Sequence, residues 1–357
     1  MRGLEKAAVL VGLLMAGDPE ATGAQEVGES APGVVRVQRE AYLMGTRLRV
    51  EVLAPSRPVG IGVIEEVFQV VGEVEGILSD FRSDAELARV NAAEAGKRTA
   101  LSDDLARMLS EAFAWSERTG GAFDPVAGSL VAEWDLRGAG RVPTRAELER
   151  ARQSASAGAV EFDFASRTIL RKSAEVALDP GGFGKGEALR AAALRLRELG
   201  IESASMDFGG QVYVLGDGPS GHGAAWPTVV SHPLDRSLRV GALSLRDVSA
   251  STSGPSEKGV RIDGQPFSHH IDPRTGHPVR AWGSVTVVAA DPFVADVLST
   301  ALYVMGPRYG MIWAQDQDDV GVLFLTTTPQ GAVRSSMNAA MERWWVAASF
   351  AGRLDER

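Results

Sequence analysis

The stretch VTVVAADPFVADVLSTALYVMG, Val285 to Gly306, contains two elements of opposite kind joined by a stop-and-start signal. Ser284 to Ala290 is a short Val-rich run, of the length and composition of a buried strand. Asp291-Pro292 then sets a capping carboxylate before a proline at the first helical position, which predicts a helix over Pro292 to Met305, stopped by Gly306-Pro307. On that helix Asp296 and Thr300 stand at i and i+4, so a carboxylate and a hydroxyl share one face. Their neighbours Val294, Val297, Leu298, Ala301 and Leu302 are apolar, and a carboxylate buried among them needs a partner. Two hard oxygens on a rigid element, next to a phosphate, suit Mg²⁺. Alone, the pair reads sooner as ordinary helix polarity.

Outward from this stretch, helices and hairpins mix. Val34 to Leu53 reads as strand interrupted at Met44-Gly45-Thr46, and Val59 to Leu78 has apolar residues at helical spacing. Ser83 to Glu86 fits a capping box opening a short helix to Asn91, Ser102 caps the next helix, and Thr144 to Glu147 is a second box. Glu161–Ala165 and Thr168–Lys172 suggest a hairpin, followed by a strand at Glu175–Leu178 and a helix from about Gly186 to Leu199. Further strands are expected at Ser203–Met206, Gln211–Leu215, Pro227–Val230, Leu243–Ser249, Val320–Leu325 and Trp344–Ala348. This order fits an α+β fold better than a repeating βαβ array.

The 357 residues are 45% apolar and 23% charged, which is ordinary for a folded chain with a substantial core. A net charge of −9 argues against a general nucleic-acid binder. The absence of cysteine excludes disulfides, thiolate metal sites and a Cys nucleophile, so any metal must be held by oxygen or histidine. Arg2 and Lys6, then the apolar run Ala7 to Gly17, then Thr22 and Ala24, read as a signal peptide over 1–24. Export to the periplasm or cell envelope of a bacterium is the expectation, with a linker over 25–33, one domain over 34–350 and a polar tail over 351–357. The apolar run is shorter than the ~20 residues that span a bilayer, so no membrane span is expected in the mature chain.

Three more segments carry chemistry. ALDPGGFGKG, Ala177 to Gly186, leaves a predicted strand and enters a helix; its glycines open backbone N–H groups to an anion, and the helix start and Lys185 add positive charge. It is neither a Walker A loop nor GxGxxG, and a plain tight turn competes with the phosphate reading. FSHHIDPRTGHP, Phe267 to Pro278, holds three of the chain's five histidines, His269, His270 and His277. Asp272 lies close enough in sequence to orient His269, the usual hardware of proton transfer near neutral pH. A polar turn whose Asp satisfies its own backbone is the plainer reading. In GGAFDPVAG, Gly120 to Gly128, Phe123 could pack on a flat ring and Asp124 accept from a base or ribose, although on this segment alone a core Phe and a turn Asp are the favoured reading.

Taken in order, YLMGT (Tyr42–Thr46), SDFRSDAELARVN (Ser79–Asn91), GGAFDPVAGSL, ALDPGGFGKGEA, DFGGQVYVLG (Asp207–Gly216), STSGPSEKGV (Ser251–Val260), FSHHIDPRTGHP and the opening stretch resemble the ApbE family of FAD:protein FMN transferases. The resemblance implies an α+β unit of the T-fold type. It implies FAD contacts at Met44, Phe81, Ala122, Phe123, Asp124, Asp179, Lys185 and, just after His269, at His270 and Ile271. It also implies Mg²⁺ held by the side chains of Asp296 and Thr300 and the carbonyl of Gly182, with His269 as the active-site histidine. The pairing of His269 with Asp272 comes from spacing alone. The family usually has Tyr at Phe81, an aliphatic residue at His270, an aromatic at Glu187 and Asp at Arg190.

The activity implied is Mg²⁺-dependent transfer of FMN from FAD to a Thr or Ser hydroxyl of an acceptor redox protein, with AMP leaving. The same residues would serve an FAD pyrophosphatase giving FMN and AMP, and a protein that only binds or stores FAD is the third reading.

Overall fold

Strand Gly283–Ala289 is buried at every position, so it must be covered on both faces. Val285 and Val287 point into one apolar core, together with Val322 and Phe324 of the neighbouring strand. Val288 points into another, with Leu323 and Leu325. The period of two thus sends alternate residues into two different cores, and the architecture follows: a central sheet between two layers.

The computed structural model describes residues 25–29, 34–221, 223–255, 259–262, 265–328 and 332–347. In chain order, β1 (Gln25–Glu29), β2 (Val35–Leu43) and β3 (Thr46–Ala54) precede the long helix α1 (Arg57–Leu78). Next come α2 (Glu86–Ala92), β4 (Arg98–Ala100), α3 (Asp103–Arg118), α4 (Gly128–Glu133) and α5 (Arg145–Ser154). The hairpin β5 (Val160–Asp163) and β6 (Thr168–Arg171) leads to α6 (Gly184–Glu198), β7 (Ala204–Phe208) and β8 (Gln211–Leu215). Then follow β9 (Trp226–Ser231), β10 (Arg239–Leu245), β11 (Val248–Ser253), β12 (Gly259–Ile262), β13 (Gln265–Asp272), β14 (His277–Arg280) and β15 (Gly283–Ala289). Finally α7 (Pro292–Ala314) is followed by β16 (Gly321–Thr327), β17 (Val333–Met337) and β18 (Trp345–Ala347).

The main sheet has nine strands in the order β1-β2-β3-β7-β8-β11-β15-β16-β17. Each neighbouring pair is antiparallel. α1, α6 and α7 pack side by side against one face, and the three-stranded sheet β18-β10-β9 shares the second core on the other. This is the α+β class the sequence implies. No helix among the described residues is long and apolar enough to cross a membrane.

Several expectations need correcting, each for a local reason. Gln25–Glu29, expected in a linker, pairs with β2 as an edge strand. Leu243–Ser249 is two strands, because Asp247 adopts a positive φ of 51° and its carboxylate accepts from the Gly216 amide. The box at Ser83 does not form: Ala85 is the N-cap of α2, and Glu86 instead accepts from the amide and hydroxyl of Ser102. The box at Thr144 does form. Glu175–Leu178 is irregular backbone, since the amide side chain of Asn91 both donates to and accepts from Leu178. Gly306 interrupts α7 with φ 74° and ψ 168°, but Pro307 starts a second helical segment that runs to Ala314. The proposed leader at 1–24 and the tail at 351–357 lie outside the described residues.

The far end of α7 is anchored by Asn338, which donates to Ala314 O at 3.0 Å and Val320 O at 2.8 Å and accepts from Val322 N at 2.9 Å. Replacing it leaves several buried backbone groups unpaired. Asn338→Ala is expected to lower stability by about 3 kcal/mol, read by denaturant titration.

Candidate functional site

The site is built where the first turns of α6 and α7 touch. At Gly186 a Cβ would sit 2.5 Å from Pro292 O and 2.8 Å from Asp296 Cβ, so only glycine allows this approach. The contact puts Asp296, 2% exposed, at the start of α6. Its Oδ2 accepts from Gly186 N at 2.9 Å, one of the N–H groups that a helix start leaves without an internal partner. Lys185 Nζ stands 3.4 Å from its Oδ1. The carboxylate that the sequence placed among apolar neighbours therefore has its partners, drawn from the Gly-rich loop.

Thr300 lies one turn along α7 and is half-buried. Gly182 is pressed against it: a Cβ there would meet Thr300 Cγ2 at 3.2 Å and Phe123 Cε2 at 3.0 Å. Asp296, Thr300 and Gly182 thus converge from two elements. No cluster of three or more His, Asp or Glu among the described residues is placed to hold a metal. A cation here would take one carboxylate, one hydroxyl and one carbonyl and complete its shell from phosphate or water, a hard-oxygen set that suits Mg²⁺.

The Gly-rich loop is held from below and from the side. Asn91 clamps Leu178, and Asp179 N donates to Pro125 O at 2.8 Å. Asp179 Oδ1 accepts from Gly181 N at 2.6 Å and from Arg137 at 2.8 Å. Burial pushes the Asp179 carboxyl above its ordinary range, and the Arg137 charge pulls it back. Arg137 also bonds Asp80, and its guanidinium lies 5.1 Å from the ring centre of Phe81. Phe81 is 79% exposed, an aromatic lip with an arginine over one side. Met44 sits at the tip of the β2–β3 hairpin, where it and Gly45 both take positive φ, 48° and 73°. Its amide donates to Glu75 on α1, and its Cε lies 3.3 Å from where a Gly184 Cβ would be. Ala122 and Phe123 are buried, and Phe123 meets Phe183 edge-on at 6.3 Å. Asp124 caps its own turn through Val126 N at 2.8 Å, and burial raises its carboxyl. A groove of about 500 Å³ runs past Gly121, Asp124, Arg152 and Arg274. A second cleft, of about 490 Å³, is lined by Arg36, Glu51 and β9, and no expected site residue lines it.

The histidines lie on the β13–β14 hairpin. His269 is half-buried, with its ring 4.0 Å from that of His270. His270 is buried, bonded to Ser268 Oγ through Nδ1 at 2.6 Å, and 4.6 Å from the ring of Tyr303. Tyr303 in turn stacks on Trp282. Burial first, and then the neighbouring His269 and Lys185, hold His270 well below its ordinary pKa, so it is a neutral packing ring. Ile271 is in a small core with Trp134 and Leu130. Asp272 finds partners within its own turn. Arg274 folds back across the turn and takes both of its oxygens, at 2.9 and 3.0 Å, and Arg274 N takes Oδ1 at 3.0 Å. The plainer reading of Asp272, a turn residue satisfying its own segment, is what the structure shows.

The model of the ApbE family matches residues 44–324. The chain belongs to the ApbE family. It is 30% identical over 331 residues to the FAD:protein FMN transferase of Treponema pallidum, covering 86% of this chain and 89% of that protein. Identity to the FAD:protein FMN transferase of Rhodobacter capsulatus is 33% over 266 residues, or 72% of this chain and 49% of that longer protein. Among solved structures, the flavin transferase ApbE from Vibrio cholerae superposes with a TM-score of 0.76 at 26% identity, covering 87% of this chain and 99% of that one. The ApbE protein of Thermotoga maritima gives 0.77, also at 26% identity, over 86% and 98%.

Within this ApbE-family frame Glu187 and Arg190 are not isolated. Glu187, 1% exposed, is held by Arg107 at 2.5 Å, and Arg190 reaches Glu111 and Asp291. The sequence missed several supports of the site, chiefly Asn91, Arg137 and Glu75. It also missed Ser299, which bonds Ser251 and Ser253 beneath α7. The one usable signal for the serines was their alternation in STSGPSEKGV.

The unfolded chain takes up a proton on His270 near its ordinary value of 6.5, whereas the folded chain resists it. Stability contributed by this residue is therefore present above about pH 6.5 and lost as pH falls below it. Between pH 7.5 and pH 5, wild type should lose more melting temperature than His270→Gln, and equal losses would contradict the assignment.

Proposed function

We propose that this chain, a flavin transferase of the ApbE family, takes FAD as donor and moves its FMN half onto a Thr or Ser hydroxyl of an acceptor protein. The observation that carries this reading is the meeting of Asp296, Thr300, Gly182 and Lys185 at the starts of two helices. His269 lies beside a neutral His270 that senses the charge of Lys185.

The acceptor oxygen forms a new bond to the FMN-side phosphorus, the bond from that phosphorus to the bridging oxygen breaks, and AMP leaves with the bridging oxygen. The hydroxyl's proton passes to His269. Such a displacement asks the protein for alignment and charge neutralisation more than for covalent chemistry. Lys185 and the α6 start supply fixed positive charge for the diphosphate. Phe81, with Arg137 behind it, offers a ring face for a planar group of FAD. Met44 and Asp124 would add contacts to FAD beside the loop. Asp296, Thr300 and Gly182 would hold Mg²⁺, whose chemistry is to polarise the diphosphate and stabilise the leaving phosphate. Neutral His270 at the ring of His269 leaves His269 as the proton acceptor of the pair. We also read residues 1–24 as an export signal, placing acceptor and reaction outside the cytoplasm.

The test is purified chain with FAD, Mg²⁺ and a candidate acceptor domain, weighed for added FMN. His269→Ala should lower acceptor labelling by at least about 100-fold while FAD still binds; unchanged labelling would remove His269 from the mechanism. FMN and AMP formed at the same rate without acceptor would make water the acceptor instead. Phe81→Ala should raise the KM for FAD about tenfold with a smaller change in kcat, as expected for loss of one stacking surface.

A further inference from the structure

The site has two halves on separate elements. Asp296 and Thr300 ride on α7, and Gly182 and Lys185 belong to the loop and first turn of α6. Something must fix the distance between them. Gly186 sets how close the helices come, but a glycine cannot set their angle or height.

Arg190 can. Its Nε and Nη2 hold Asp291 at 2.8 and 2.5 Å, and its Nη1 and Nη2 hold Glu111 at 2.7 Å each. Asp291 is also the N-cap of α7, its Oδ1 accepting from Phe293 N at 2.9 Å. The guanidinium lies 4.6 Å from the ring centre of Phe293, in the first turn of α7. One side chain on α6 thereby grips α3 through Glu111 and the start of α7 through Asp291 and Phe293. Asp296 and Thr300 follow within the same helical segment, before the break at Gly306.

The competing role for Arg190 is counter-ion to the buried Glu187. The distances decide against it as the main role. Arg107 bonds Glu187 at 2.5 Å, whereas Arg190 reaches Glu187 at 3.2 Å and keeps its shorter bonds for Asp291 and Glu111.

We propose that Arg190 is a positioning residue for the metal-binding face of α7, acting through the helix cap Asp291 to set Asp296 and Thr300 against Gly182 and Lys185. The proposal rests on the flavin-transfer reading of the site. The planar two-armed fork of arginine is the feature that performs this role.

The experiment titrates Mn²⁺ into the full chain with saturating FAD and no acceptor, followed by electron paramagnetic resonance, with thermal melts alongside. Arg190→Gln should weaken Mn²⁺ binding about tenfold, the scale seen when a group that orients a ligand is lost. Glu187→Gln with Arg190→Gln removes the buried charge that the single variant leaves under-neutralised. Its melting temperature should move back toward wild type while Mn²⁺ affinity stays low. Recovery of affinity together with stability would overturn the proposal and make Arg190 a counter-ion. Should Arg190→Gln not fold, Arg190→Lys keeps the charge and loses the fork. An affinity several-fold below wild type supports the proposal, and wild-type affinity overturns it. Asp296→Ala separates the two levels of argument: if it binds Mn²⁺ as wild type does, the metal assignment itself fails, and the role of Arg190 with it.

Discussion

Everything at this site depends on one carboxylate in a place where carboxylates are costly. Asp296 is buried, and it is tolerable there because the first turn of α6 offers it an otherwise unused backbone N–H and Lys185 offers a charge. The arrangement works in both directions. The helix start gains an acceptor, the acid gains a donor, and the two helices are bound edge to edge at Gly186. The same carboxylate on an exposed helix would lack this fixed orientation, and one in a core without α6 would have little reason to stay charged.

The rest of the molecule can be understood as support for that contact. The nine-stranded sheet gives α1, α6 and α7 a common floor. The apolar alternation of β15 and β16 fills the space beneath α7 from one face and binds the outer three-stranded sheet from the other. Around the rim, Asn91 and Arg137 hold the Gly-rich loop, while Glu75 holds the hairpin that carries Met44. These are polar clamps onto irregular segments, used where no strand ladder is available to satisfy the backbone.

What the sequence disclosed follows the range of the interactions. The i, i+4 pairing of Asp296 and Thr300, the cap at Asp291, the box at Thr144 and the hairpin break at Met44-Gly45 are local, and all four were legible. The partnership of Lys185 with Asp296 spans 111 residues, and that of Arg137 with Asp179 spans 42. No periodicity reports such pairs. Family motifs brought the first into view because both residues lie in them, whereas Arg137 lies in none. At Glu175–Leu178 and at Asp272 the structure adds partners that the pattern does not name: an Asn side chain in place of a strand, and Arg274 across the turn. Patterns show what a segment needs and leave open who supplies it.

The interruption of α7 at Gly306 has a consequence for how the protein can change. Left-handed backbone at one residue separates a front segment, gripped by α6, from a rear segment tied down by Asn338 and by Trp313. The two are one helix in outline and two in mechanics. Side chains, crossing angle or length in the rear part can drift over generations without turning Asp296 or Thr300 about the helix axis, since rotation is not transmitted through a residue that has left the helical repeat. The face that carries Asp296 and Thr300 is insulated from its own scaffold.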